Sequence, residues 1–450
     1  MRVPKIIKDF GSHFFKAGYE CYLVGGAIRN MTAGRKATDY DFATNAEPEE
    51  VKALFRRVIP TGIRHGTVTV LFGGQQFEVT TYRVEGEYSD SRRPDKVEFT
   101  PSIYEDLKRR DFTINSMALD VKTGHIIDPH GGRADLKKGV VRAIGEPVQR
   151  FEEDPLRMLR ACRFAAQLEF EIEAETFEGI RRCVHKIRSV SAERIRDEFE
   201  KTILAPTPST GIFLMDGSGI LGIILPELAA CKGVTQKGMH RFDVFTHLLL
   251  SCDFAEPDVV LRLAALFHDI GKPAARDVRE DGTTTFYRHE EISAVMSHSI
   301  LRRLKFPKYV ENKVCHLIRN HMFSYDENWS DSAVRRFISR VGKSDMPYLF
   351  RLRRADSYGI VGEQLPLPHL TELERRIDGV IEKDEALSVT DLDIDGNILA
   401  EEGGIPKGPI MGTILSHLLE TVLDDPSLNT KDKLLEIAKN FYEQQICAGK

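Results

Sequence analysis

The chain has 450 residues, 42% of them apolar and 29% charged, with a formal net charge of −5. That length exceeds a single compact core and predicts roughly three domains, and the composition excludes a disordered chain. The acidic balance argues against an indiscriminate polyanion binder, and no apolar run nears the roughly 20 residues that span a bilayer.

The N-terminal stretch "MRVPKIIKDFGSHFFKAGYE" alternates charged and apolar residues as an amphipathic helix does. It lacks the apolar core and small-residue cleavage site of a signal peptide. The seven cysteines are scattered, odd in number and without a C-x-x-C pair, which predicts free thiols in a reducing cytoplasm. Up to about residue 145 the pattern mixes strands and helices. "CYLV" (21–24), "TVTVLF" (67–72) and "QFEVTTYR" (76–83) are β-branched or aromatic runs bounded by turn residues.

Within this head, "CYLVGGAIRN" runs from a strand through Gly25-Gly26 into a helical segment. Paired glycines let backbone N–H groups approach a ligand, and the helix N-terminus favours an anion. Arg29 falls on the first turn, placed for a phosphate. "ATDYDFATNA" follows, with Asp39 and Asp41 two residues apart on a predicted strand, so both side chains leave one face. Two carboxylates so placed repel unless a cation lies between them. A solvated turn explains the decapeptide alone equally well. Glu78, flanked by apolar residues on a predicted neighbouring strand, adds a third acid. Three converging carboxylates beside a glycine turn are what Mg²⁺ and a nucleoside triphosphate require.

"RRPDKVEF" (92–99) leads to "LKRRDFTINSMALD" (107–120), where Arg110 can reach a phosphate and Asp111 and Asn115 order a turn. "LKRRDF" and, later, "VRRFISR" (334–340) are local basic patches. "FEEDPLRMLRACRFAAQL" (151–168) opens a helix with Asp154 as N-cap and Pro155 at the first position. Arg157, Arg160 and Arg163 recur every third residue as one basic ridge. An Asp accepts from the amino group of C or A and an Arg donates to the adjoining ring atoms, so Asp154 and Arg157 can read a base edge without a template.

"LVGGAIRN…DYDFAT", "RRPDKVEF", "RRDFTINSMA" and "EEDPLRMLRACRFAA", in this order and spacing, resemble the class II bacterial tRNA nucleotidyltransferase (CCA-adding) and poly(A) polymerase family over almost the whole chain. The resemblance implies an α+β head with a small mixed sheet of polymerase-β-like type, followed by an all-α neck, body and tail. It implies that Gly26 and Arg29 hold the triphosphate, that Asp39 and Asp41 bind Mg²⁺, and that Asp154 and Arg157 select CTP or ATP. Arg110, Arg160 and Arg163 would support the nucleotide, and Glu78 would be the third acid. The family usually carries Asp where this chain has Asn30, which predicts altered support of the turn without loss of activity.

Beyond about residue 150 the apolar spacing is helical and strand patterns are absent, with Pro and Gly marking joints near 205–211, 217–226, 271–273 and 362–368. Half of the fourteen histidines fall between His240 and His321. "LRLAALFHDIGKP" (261–273) is an apolar helix ending in His268-Asp269, a costly polar doublet unless paired or metallated. With His247, His289, His321 and Asp356 it resembles the HD phosphohydrolase pattern. That likeness implies His247, His268, Asp269 and Asp356 as metal ligands, with His289 and His321 as auxiliary residues. Imidazole and carboxylate together suit Ni²⁺, Mn²⁺, Co²⁺ or Fe²⁺. After residue 390, "DIDGNILAEEGGIPKGPIMG" leads into the helical "TILSHLLETVL" of a separate tail.

The expected division is a nucleotidyltransferase head (1–145), a nucleotide-selecting and RNA-binding neck (146–230), an HD domain (231–360) and a tRNA-binding tail (361–450). The expected activity is addition of CCA to the 3′ end of tRNA from CTP and ATP, with a second, metal-dependent phosphatase or 2′,3′-cyclic phosphodiesterase activity in the HD domain. A poly(A) polymerase or A-adding enzyme is the alternative in the same class. In another class stands an HD phosphohydrolase whose head only binds RNA. Two retained head carboxylates speak against it, because a pure binder has no need to hold like charges together.

Overall fold

A computed structural model describes residues 3–34, 37, 39–85, 97–236, 238–280, 283–383 and 386–448. Residues 92–96 of "RRPDKVEF" lie outside that set. The chain divides into two compact units, Met1–Ala230 with Ile300–Phe306, and Cys231–Ser299 with Pro307–Lys450.

The first unit opens on the helix Lys5–Lys16, whose apolar stripe buries Ile7, Phe10 and Phe14. The Phe10 ring lies 4.7 Å from both Phe42 and Phe77, which fastens the helix to the sheet. The strands are β1 (Tyr22–Val24), β2 (Asp41–Thr44), β3 (Val58–Gly62), β4 (Thr67–Phe72), β5 (Gln75–Thr81), β6 (Arg83–Glu85), β7 (Val97–Phe99), β8 (Ala118–Asp120) and β9 (Ile126–Ile127). Seven of them form one mixed sheet in the order β3-β4-β5-β2-β1-β8-β9. The β2–β5 pair is parallel and brings Asp41 opposite Glu78, while antiparallel β1 brings Val24, the residue before the glycine pair, opposite Asp41. Asp39 lies just before β2 and not within it.

Helices Pro147–Glu153, Leu156–Leu168, Ala174–Cys183, Ala192–Ile203 and Pro208–Gly217 follow. The helix Leu156–Leu168 packs on the last two. A Cβ on Gly211 would stand 2.6 Å from Thr202 Cγ2, so the absence of a side chain permits that close crossing. The short segment Ile300–Phe306 completes this unit. Arg303 Nη1 pairs with Glu227 at 2.6 Å, Lys305 with Glu193 at 2.9 Å, and Arg196 donates to the Lys305 carbonyl at 2.6 Å.

The second unit is built on helices Val244–Phe254, Val259–Phe267, Lys308–Asn320, Asp331–Val341, Met346–Val361 and Pro368–Glu382. Its tail helices, Pro409–Asp424 and Lys431–Ala448, close over Ile414, Leu418, Val422 and Leu434. Among the described residues no helix is long and apolar enough to cross a membrane.

Two sequence expectations are corrected. Strands do occur past residue 150: Glu171–Ile172 pairs with Val140–Val141, and Arg276–Val278 forms a hairpin with Thr284–Phe286. These are two- and three-residue pairs, too short to show a period, although the run of threonines at 283–285 carries β-branched character. The second correction concerns "VRRFISR", which is an internal brace more than a basic patch. Buried Arg335 donates to the Leu423 carbonyl (2.7 Å) and the Asp424 carbonyl (3.1 Å), satisfying the end of helix Pro409–Asp424. Arg336 pairs with Glu420 and Asp424.

Candidate active sites

In the first unit a cavity of about 650 Å³ gathers the residues that the sequence singled out. Gly25, Gly26, Arg29, Asp39, Asp41, Arg110, Asp154, Arg157, Arg160 and Arg163 all line it. Glu78 stands beside it, exposed on β5 and in register with Asp41. Gly25 has φ +68°, and a Cβ there would lie 3.2 Å from Asp41 Oδ2, so the turn both requires glycine and admits the carboxylate against the backbone. Burial, then the charges of Glu78 and Asp39, push the Asp41 carboxyl up to about 6, with Arg110 pulling the other way. Acids held together at this expense, all of them oxygen donors, fit a divalent cation.

The basic side chains are held in place by carboxylates of their own. Arg110 and Arg109 pair with Asp106 at 3.1 and 2.6 Å, and Arg160 with Asp111 at 2.6 Å. Arg163 pairs with Glu198 at 2.5 Å, and buried Arg157 with Glu153 at 2.9 Å while also donating to the Arg109 carbonyl. Burial opposes ionisation of Asp111, but Arg160 and the Asn115 amide outweigh it and bring the group down to about 2. Arg29 donates to Asn115 Oδ1 at 2.7 Å and lies over the Phe164 ring, as do Arg160 and Arg163. The expected turn role of Asp111 and Asn115 is present, with Asp111 Oδ1 accepting from the Phe112 amide and from Asn115 Nδ2.

Asp154 does two things here. Its Oδ1 accepts from the Leu156 amide at 3.1 Å, a capping contact, and its Oδ2 pairs with Arg194 at 2.8 Å. Pro155 precedes the helix by one residue and is not its first member. Sequence reasoning missed Arg194, Glu198 and Phe164. The first two stand four apart on the amphipathic helix Ala192–Ile203, which was the available signal.

The second unit holds a buried cluster. His247 Nε2 and His268 Nε2 are 3.0 Å apart, and each lies 3.3–3.5 Å from Asp356 Oδ1 and Asp269 Oδ2. Donors bound at about 2.0–2.2 Å around one ion stand roughly 3.0–3.5 Å from one another, so this spacing fits a single metal. His289 and His321 reach the other Asp269 oxygen at 3.0 and 3.7 Å. His268, His289 and His321 each turn Nδ1 to a carbonyl three residues back, at 2.9, 2.8 and 2.7 Å, which aims Nε2 inward. Burial opposes ionisation of Asp356, yet hydrogen bonds from His247 and His268 hold it well below the usual range, and Lys272 leads in doing the same for Asp269.

Three further residues were missed. Lys272, buried and one turn past the His-Asp doublet, contacts Asp269 Oδ2 at 2.5 Å. Gly359 backs onto His247, where a Cβ would stand 2.9 Å from Nδ1. Arg353 donates to Asp356 Oδ2 at 3.0 Å. The i, i+3 spacing of Lys272 to Asp269 and of Arg353 to Asp356 was legible in principle.

Comparison with known proteins agrees with this geometry. The family model described as the poly A polymerase head domain matches residues 21–142, a probable RNA- and SrmB-binding site of polymerase A matches 169–232, and an HD domain matches 240–359. The CCA-adding enzyme of Leuconostoc mesenteroides is 33% identical over 439 residues, covering 95% of this chain and 94% of its own. That of Ligilactobacillus salivarius is 32% identical over 432 residues, covering 96% and 95%. The crystal structure of the Bacillus stearothermophilus CCA-adding enzyme with CTP superposes with a TM-score of 0.75 at 26% identity over 100% of both chains. The Thermotoga maritima CCA-adding enzyme, complexed with tRNA, shares the fold at a TM-score of 0.56 and 20% identity, over 98% of this chain and 96% of that one.

Proposed function

The chain belongs to the CCA-adding enzyme family, and from that premise we propose that its first unit adds C, C and A to the 3′ end of tRNA from CTP and ATP. The observation that carries this reading is the single cavity in which the Asp39/Asp41 pair faces the arginines of helix Leu156–Leu168. Gly25 and Gly26 present the start of a helix to the triphosphate, and Arg29 and Arg110 bind its oxygens. Phe164 and the arginines above it make a platform, while Asp154 and Arg157 offer acceptor and donor to the base edge. The 3′ hydroxyl of the RNA attacks the α-phosphate and pyrophosphate leaves on the side of the basic residues. Asp39 and Asp41 would hold a divalent ion, with Mg²⁺ favoured by their oxygen-only donors, and its charge would offset that of the phosphates. Glu78 acts through its charge on Asp41. The working division is the four parts 1–145, 146–230, 231–360 and 361–450, and the six free, buried cysteines among the described residues suit a reducing cytoplasm. Incubating tRNA that lacks CCA with CTP, ATP or both, and sequencing its ends, tests this. Extension by A alone would move the assignment to an A-adding enzyme.

The buried His/Asp cluster supports a second activity, a metal-dependent phosphatase or 2′,3′-cyclic phosphodiesterase. His247, His268, Asp269 and Asp356 would hold the ion, and their mixed nitrogen and oxygen donors favour Ni²⁺, Mn²⁺, Co²⁺ or Fe²⁺. Lys272 fixes Asp269, and His289 and His321 stand ready to bind phosphate oxygens. A tRNA end blocked by a phosphate has no free hydroxyl to extend, so clearing it precedes addition. His268→Ala is expected to abolish hydrolysis across a metal series, to lose the metal-induced rise in melting temperature, and to spare nucleotide addition. Equal hydrolysis by this variant would leave the cluster a structural element.

A further inference from the structure

Lys201 lines the cavity of the first unit and has no part in the reading above. It follows Arg194 and Glu198 along one face of the helix Ala192–Ile203. Arg194 pairs with Asp154 and Glu198 with Arg163, so this helix packs beside Leu156–Leu168 with its start at the base-edge pair and its end near Arg163. A rise of about 1.5 Å per residue puts Lys201 about 10 Å farther along than Arg194. A second link fixes that end. Arg163 donates to Gln167 Oε1 at 2.7 Å, and Gln167 Nε2 donates to the Lys201 carbonyl at 3.2 Å. Arg163 lies over the Phe164 ring, and so does Arg29 from the helix that follows the glycine turn. The Lys201 ammonium itself is held loosely. It stands 3.9 Å from Glu198, a carboxylate already engaged by Arg163 at 2.5 Å and Arg160 at 3.5 Å. Its side chain is 55% exposed, against 26% for Arg194 and 9% for Arg163, so it can swing where they cannot.

We propose that Lys201 binds the terminal phosphates of the incoming nucleoside triphosphate and then the departing pyrophosphate, whichever base is being added. The proposal rests on the nucleotide-addition reading of this cavity given above. With its base edge at Asp154 and Arg157, an extended nucleotide runs along both helices and ends among Arg29, Arg163 and Lys201. An ammonium is a compact charge on a flexible stem, suited to following a phosphate that moves. As the 3′ oxygen bonds to the α-phosphorus, the bond to the α,β-bridging oxygen breaks and pyrophosphate keeps that electron pair, while the hydroxyl proton passes to solvent. Lys201 then meets the larger charge of the freed pyrophosphate. Standing about 10 Å along the helix from the base-edge end, it leaves the choice of base alone. The competing role is that of a helix-end charge, because Lys201 falls in the last turn, where a cation steadies the helix without touching a ligand.

The test compares Lys201→Met and Lys201→Arg with the full-length wild type in steady-state addition to tRNA that lacks CCA. Methionine keeps the stem and removes the charge, and circular dichroism verifies the fold. Lys201→Met is expected to raise KM for both CTP and ATP about tenfold, the scale of one hydrogen bond to a charged group, and Lys201→Arg to restore it. Inhibition by pyrophosphate is expected to weaken by the same factor. KM for tRNA and discrimination against UTP and GTP are expected to stay as in the wild type. Unchanged nucleotide KM values, with at most a lower melting temperature, leave Lys201 a helix-end charge and overturn the proposal. A raised KM for tRNA, which makes it an RNA contact, or a changed choice of base overturns it too. If the wild type adds neither C nor A, the nucleotide-addition reading fails, and binding decides Lys201 separately. By calorimetry with Mg²⁺, Lys201→Met is expected to bind CTP about tenfold more weakly and to bind CMP as the wild type does. A wild type that binds no CTP, an unchanged CTP affinity, or equal losses for CTP and CMP overturns the proposal.

Discussion

At Asp41, burial together with Glu78 and Asp39 pushes the carboxyl up to about 6. At Asp356, burial acts in the same direction but is outweighed by hydrogen bonds from His247 and His268, and the group falls well below the usual range. The head gathers acids against acids, with Arg110 as the nearby counter-charge. The HD cluster surrounds its acids with imidazoles and with the Lys272 ammonium, 2.5 Å from Asp269. The first arrangement is electrostatically incomplete until a cation arrives, which suits an ion that comes and goes with each nucleoside triphosphate. The second is close to balanced by itself and can keep its geometry without an arriving cation.

The strongest way to break that contrast is to remove a head acid. Asp39→Ala or Asp41→Ala is expected to reduce CCA addition by at least about 10³-fold, roughly 4 kcal/mol of transition-state stabilisation, with the fold retained. A primer-extension assay that finds activity within about tenfold of wild type removes the metal assignment. In the HD cluster the corresponding substitution is expected to strike stability itself. Asp269→Asn leaves the buried Lys272 charge without its partner, and chemical denaturation in EDTA is expected to show a loss of about 3–5 kcal/mol. A neutral outcome would mean that Lys272 does not depend on Asp269.

Smaller effects sharpen the head half. Asp154→Ala and Arg157→Ala are each expected to lose about 1–3 kcal/mol of discrimination against UTP and GTP in misincorporation assays. Selectivity kept while melting temperature falls would reduce Asp154 to its capping contact and its pair with Arg194. The smallest effect has the opposite sign to that at Asp269. The Asp41 carboxyl binds its proton more tightly in the folded chain, so its contribution to stability is complete below pH of about 4 and is lost as pH rises through about 6. In EDTA at pH 8, Asp41→Asn escapes that loss and is expected to be more stable than wild type by about 1–2 kcal/mol, with the gain vanishing near pH 4. Denaturation curves at the two pH values decide it.

What could be read in the sequence was whatever the chain writes locally. "TVTVLF" is β4 residue for residue, and the spacing of Asp39 and Asp41 brought both into one cavity. The density of histidines located the second cluster. Partnerships across long separations could not be read this way. Arg194 reaches Asp154 across 40 residues and Arg335 reaches Asp424 across 89, so a helical ridge of arginines looks the same whether it faces solvent, a ligand or a carboxylate. Arg157 and Arg163 illustrate this, since both line the cavity yet are buried and already engaged.

The assignment of Ile300–Phe306 to the first unit bears on how the protein is made. A ribosome that has finished residue 230 has not yet supplied the partners of Glu193, Arg196 and Glu227. At roughly 5–20 residues per second, the intervening 76 residues take about 4–15 s to synthesise. Through that interval the nascent first unit carries an unfilled seam at its helices, and the residue-by-residue order of translation cannot by itself finish the first unit before the second has begun. A fragment cut at 230 would keep that seam permanently, whereas a fragment that reached residue 306 would close it.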